Sequence, residues 1–146
     1  MTDLYDQAFV NVGLNLLRAD PGLVVFDSKV PNGSRAPYVL VYTSLDRPDV
    51  DGDLSFNGRS TVWVARWICH CVGEGEDGVA ARAVAQRVRT QLLDVQPVVL
   101  DANNQPLPFA CGLIRKEPSV PPTRNETLGG LVMDAVETYR LRATTS

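Results

Sequence analysis

The chain has 146 residues, 45% of them hydrophobic and 21% charged, with a formal net charge of -3. That balance belongs to a globular protein and excludes a disordered one. A chain of this length fits a single domain, residues 1–146, that buries roughly two thirds of its unfolded surface without a disulfide or a metal. The acidic balance also argues against a protein whose main task is gripping nucleic acid. The start, Met1-Thr2-Asp3-Leu4-Tyr5-Asp6, has no apolar leader, and no apolar run approaches the ~20 residues that span a bilayer. The three cysteines are therefore expected as free thiols in a reducing cytoplasm, with no membrane partner.

Tyr5, Phe9, Val12 and Leu16 recur at helical spacing, and Asp20-Pro21-Gly22 ends that helix. Leu23 to Phe26 reads as a short buried strand, and Pro31-Asn32-Gly33-Ser34 as a turn. Tyr38 to Ser44 is the next strand. A polar connection from Leu45 to Arg59 follows, carrying Asp46, Asp49, Asp51 and Asp53, with Phe56 as its aromatic. Connections longer than about 12 residues are often functional.

Ser60 to Val72 alternates Thr61, Trp63, Ala65, Trp67, Cys69 and Cys71 on one face with Val62, Val64, Arg66, Ile68 and His70 on the other. At about 3.3 Å per residue such a strand spans about 40 Å, so part of it is expected to leave the core and pack elsewhere. Glu76 to Asp94 reads as a helix with a core stripe of Ala80, Val84, Val88 and Leu92 and an acidic start. Val98 to Leu100 is a short strand, Leu107 to Arg115 alternates Leu107, Phe109, Cys111 and Leu113 on one face, and Pro118, Pro121 and Pro122 stiffen a loop. The last strand, Leu131 to Arg142, puts Leu131, Met133, Ala135, Tyr139 and Leu141 on one face. The order α-β-β-β-α-β-β-β predicts an α+β fold. Its mixed sheet is mostly antiparallel, with helices packed on one face and a long, protruding strand pair.

Three motifs suggest chemistry, and each has a structural reading. Gly73-Glu74-Gly75-Glu76-Asp77-Gly78 matches G-x-G-x-x-G, but its carboxylates would repel a pyrophosphate, and too little chain remains for a dinucleotide fold. Cys69-His70-Cys71 resembles a metal cluster, yet a strand points His70 away from both cysteines, and a closed zinc site needs four ligands. The same geometry opposes a catalytic Cys–His pair. Asp49-Val50-Asp51-Gly52-Asp53 lacks the Gly and Glu that a calcium loop requires at later positions, leaving a weak divalent site, a solvated loop or a docking loop. The expectation is a non-enzymatic chain with no cofactor, no metal and no catalytic residue.

Ala36-Pro37-Tyr38-Val39-Leu40-Val41-Tyr42 precedes the polar loop. Then Trp63-Val64-Ala65-Arg66-Trp67-Ile68-Cys69-His70-Cys71-Val72-Gly73 leads into a helix with Ala80-Ala81-Arg82-Ala83-Val84-Ala85-Gln86-Arg87-Val88-Arg89. The chain closes with Asp134-Ala135-Val136-Glu137-Thr138-Tyr139-Arg140-Leu141. This order resembles the tail terminator proteins of long-tailed bacteriophages, especially those infecting actinobacteria. The resemblance implies a homo-oligomeric ring, expected as a hexamer, in the tail and neck region of the virion. Such a ring caps the head-proximal end of the tail tube, binds the tail tube protein, and meets a head-side connector. Genomic DNA passes through its channel without specific binding. Asp46, Arg47, Asp49, Asp51, Asp53, Phe56, Arg59 and Arg66 are the candidate interface residues. The alternatives are another neck protein such as a head-closure protein, a cellular α+β binding domain, and a small enzyme.

Overall fold

The computed structural model describes residues 3–47, 62–75, 77–119, 121–124 and 132–145. Helix α1 (Asp3–Arg18) and strand β1 (Val25–Asp27) lead into strands β2 (Tyr38–Asp46) and β3 (Val62–Glu74), and then helix α2 (Val79–Leu92). Three short strands, β4 (Phe109–Cys111), β5 (Arg115–Lys116) and β6 (Thr123–Arg124), precede the long β7 (Val132–Thr145). The architecture is α+β around one sheet, with spatial order β1-β2-β3-β7-β4 and with β5 and β6 also pairing β7. β1 runs parallel to β2, and the other pairings are antiparallel.

Alternation along β3 sets the layers. Trp63, Ala65, Trp67, Cys69 and Cys71 are all buried, at 5% exposure or less. In register beside them, Val39 and Val41 of β2 and Ala135, Tyr139 and Leu141 of β7 continue the same face. Phe9, Val12 and Leu17 of α1 and Val84, Val88 and Leu92 of α2 pack with it in one core. Each large side chain buried there contributes roughly 1.5–3 kcal/mol of hydrophobic transfer energy. The length of β3 is used inside the sheet, because all 13 of its residues pair with β7. Its helix-facing side stays buried as far as Trp63, whose ring contacts Tyr5, Phe9 and Phe109.

Several expected elements change. α2 starts at Val79 rather than Glu76, and the Asp77 carboxylate accepts the Val79 N–H at 3.2 Å. Its buried stripe is Ala81, Val84, Ala85, Val88 and Leu92, so Ala81 takes the place expected for Ala80. In the expected Leu23 to Phe26 strand, Val24 is half exposed and pairing begins at Val25. Val98 to Leu100 forms no strand. Leu100 makes an isolated bridge to Pro106, and the Asp101 carboxylate closes the turn by accepting the Asn103 and Gln105 N–H groups.

The alternation from Leu107 also breaks. Gly112 N still donates to Arg142 O, but Ile114 N turns away to Val95 O, and Asp94 N donates to Ile114 O. This change of partner shifts the phase, so Ile114 is buried and Leu113 is 45% exposed. On β7 the buried face includes Glu137, which is only 3% exposed. Leu131 lies outside the described residues.

Candidate interaction surface

The second face of the sheet carries the even-numbered side chains of β2, β3 and β7. At one end, loop 30–36 closes over Tyr38, Glu74 and Val132 around a cavity of about 420 Å³. Beyond it the register gives four rows: Leu40–His70–Val136, Tyr42–Ile68–Thr138, Ser44–Arg66–Arg140 and Asp46–Val64–Arg142. The first two rows are mainly apolar, the third carries two arginines, and the fourth sets Asp46 and Arg142 on either side of Val64. None of these side chains is buried, and Tyr42 is 42% exposed. Both described helices pack into the core on the opposite side, so no described helix covers this face.

Two of the sequence-derived candidates meet here. Arg66 Nη1 donates to Asp46 Oδ2 at 2.7 Å, and Arg66 Nε donates to Glu117 Oε1 at 3.1 Å. The bond to Asp46, above all, raises the Arg66 pKa against partial burial and keeps the guanidinium charged. Exposed pairs of this kind contribute about 0.2–1 kcal/mol each, so they orient Arg66 more than they stabilise the fold. Arg47 goes elsewhere: its Nη2 donates to Asp6 Oδ2 of α1 at 2.5 Å, tying the end of β2 to the first helix. Asp49, Asp51, Asp53, Phe56 and Arg59 lie outside the described residues.

Two of the three motifs fall on described backbone and packing features. Cys69 and Cys71 point into the core, whereas His70 points to the open face, where its Nδ1 lies 3.0 Å from Asp134 Oδ2. β3 is antiparallel to both of its neighbours, unlike the parallel strand that precedes a dinucleotide loop. Gly73 permits the close approach of α2, since a Cβ there would stand 2.4 Å from Ala81 N. Gly75 turns with φ +131, a conformation open to glycine.

Sequence reasoning missed one charged centre. The Glu137 carboxylate lies among the Arg89 guanidinium at 3.0 Å, the Lys116 ammonium at 3.3 Å, the Ser119 hydroxyl and the Tyr139 hydroxyl at 3.3 Å. It clamps the chain that follows β5 against α2. Burial works to raise its pKa, but the Ser119 and Arg89 hydrogen bonds outweigh burial and hold it below the ordinary carboxylate value. With every neighbour a donor, the arrangement is a structural clamp.

No family model matches the chain, and no curated protein matches it. Solved structures do. A chain from the structure titled "Virion of native gene transfer agent (GTA) particle" aligns with a TM-score of 0.58 at 20% identity, covering 91% of this chain and 92% of that one. A second solved structure aligns with a TM-score of 0.60 at 14% identity, covering 100% of this chain and 97% of its own. At these identities the likeness is one of fold, and it extends over nearly the whole length of all three chains.

Proposed function

We propose that this chain is a structural protein of a phage-type virion, acting by assembly and not by catalysis. The observation that carries the reading is the near full-length likeness to a chain of a gene transfer agent virion. The finer reading is that of a tail terminator. Copies of the chain, six in the expected ring, close on the head-proximal end of the tail tube. They end its growth and give the head-side connector a surface to join. Physical grounds support it: head-to-tail contacts close into a ring when their rotation closes, and a ring with a mismatched outer face stops further stacking. An open sheet face and strand edges suit such contacts. The net charge of -3 suits a channel through which DNA slides, because phosphates bind where cations collect. Assembly takes place in the host cytoplasm, and the protein then resides in the virion neck.

Deleting the gene from a producing phage and imaging the particles tests this. Tails of uncontrolled length lacking heads are expected, with the purified protein restoring normal length and labelling the head-proximal end. Tails of normal length beside heads that leak DNA would instead identify a head-closure protein.

A further inference from the structure

Arg66, Arg140 and Arg115 stand directly opposite one another in a single cross-strand row on β3, β7 and β5. Arg142 follows Arg140 on the same face of β7. Like charges placed directly opposite destabilise a sheet, so the row calls for anions. Its outer members have them within the chain. Arg66 is paired with Asp46 and Glu117, and Arg115 with Asp94 at 2.6 Å. The side chains of the central Arg140 and the adjacent Arg142 have no ion-pair or hydrogen-bond partner among the described residues.

The opposite pole lies at the other end of the same strand pair. Glu74, the last residue of β3, and Asp77, just before α2, are both exposed. At about 3.3 Å per residue, Arg66 and Glu74 lie about 26 Å apart along β3. Among the described residues, the β3–β7 ladder therefore carries the unpaired Arg140 and Arg142 guanidiniums toward one end, and at the other the Glu74 carboxylate with, just beyond the ladder, that of Asp77, which accepts only the Val79 N–H. Arginine, with its planar fork, is suited to bidentate carboxylate capture. Beside the basic pole lie Val64, Ile68 and the half-exposed Tyr42, which supply apolar area that a purely electrostatic phosphate site would not need.

We infer that the Arg140–Arg142 end of one copy docks on the Glu74 and Asp77 carboxylates of a second copy, head to tail. Such a contact joins two different patches, the type that builds rings. It deepens the ring reading above and rests on it only for closure and copy number.

Complementary charge reversal tests it. One variant carries Arg140→Glu and Arg142→Glu, the other Glu74→Arg and Asp77→Arg. Circular dichroism and thermal melts establish that both fold. Sedimentation velocity from 1 to 100 µM should show wild-type self-association that weakens with salt, and at least tenfold weaker association for either variant alone. An equimolar mixture should regain it, because each reversed pole then meets its reversed partner, giving alternating assemblies. Hydroxyl-radical footprinting should show Tyr42 protected in the wild-type assembly and in the mixture. The proposal fails if wild type stays monomeric throughout, if either variant alone associates like wild type, or if the mixture stays dissociated. It also fails if the arginine variant keeps the wild-type mass but loses binding to a 20-base-pair DNA duplex, which would assign the row to phosphates. Rescue in the mixture, with no protein at tail-tube ends in the deletion experiment, would leave this contact standing and remove the terminator reading.

Discussion

The indole of Trp67 lies across Gly13 of α1, so that a Cβ at position 13 would stand 2.5 Å from the indole Nε1. The same nitrogen donates to the Phe9 carbonyl at 3.1 Å, which fixes the ring in place. Trp67 is fully buried and cannot swing aside. Gly13→Ala gains up to about 1 kcal/mol of helix propensity but overpacks the core at a cost of about 1–3 kcal/mol. The net expectation is a loss of about 1–2 kcal/mol in urea unfolding and a Tm lower by about 2–8 °C. An unchanged or raised Tm would mean that α1 does not lie on Trp67 in this way.

Glu137→Gln should be the most costly conservative change on β7. It removes the charge that Arg89 and Lys116 face, and breaking a buried pair costs several kcal/mol, here about 2–3 because Arg89 is half exposed. The pH dependence has a definite sign. Burial raises the carboxyl pKa, but the Ser119 and Arg89 bonds more than offset it and leave the folded value low. The stabilisation is therefore complete above the unfolded value, about pH 4.3, and fades as pH falls through the lower folded value. Melts from pH 7 down to pH 3 should show the gap between wild type and variant narrowing below about pH 4. A gap that is constant with pH would exclude the charge as its source.

The layers were legible in the sequence because β3 and α2 repeat with clean periods: Trp63 to Cys71 alternate, and Val84, Val88 and Leu92 recur every fourth residue. Glu137 was not legible, because a carboxylate in the apolar phase of β7 gives no sign of its partners, which lie 48 residues away at Arg89 and 18 away at Ser119. The switch from Leu113 to Ile114 was hidden for a similar reason, since it follows from a change of hydrogen-bond partner and not from side-chain pattern. Of the interface candidates, Asp46 and Arg66 converge because cross-strand diagonals bring residues 20 apart together. Arg140 could have been found by the same alternation, since it falls between the buried Tyr139 and Leu141.

His70 is the one histidine of the chain, so its titration can be followed as a single imidazole signal by NMR. The hydrogen bond to Asp134 raises its pKa above the ordinary value, against partial burial, which lowers it. Its stabilising contribution is thus full below about pH 6.5, the unfolded value, and is lost as pH rises through the folded value. In Asp134→Asn, burial acts without the carboxylate. The midpoint should fall below that of wild type, and the stability difference between the two proteins should shrink as pH rises from 6 to 8. A midpoint unchanged by the substitution would mean that the imidazole does not pair with Asp134.

The three thiols should separate by environment. Cys69 and Cys71 are fully buried. Burial, with the nearby Glu137 charge, pushes Cys69 up to about 12, and burial pushes Cys71 up as well. Because the thiolate is the reactive form, neither should react with a disulfide reagent at pH 8 until the core opens. Cys111 is only half buried, and although burial raises its pKa too, it should supply the one thiol titrated in the native protein. Cys111→Ser should abolish that native signal, while guanidinium should release all three thiols in wild type. Fast reaction of two thiols in the folded Cys111→Ser variant, or a Tm raised by added zinc, would mean that Cys69 and Cys71 are reachable and would reopen the metal reading of Cys69-His70-Cys71.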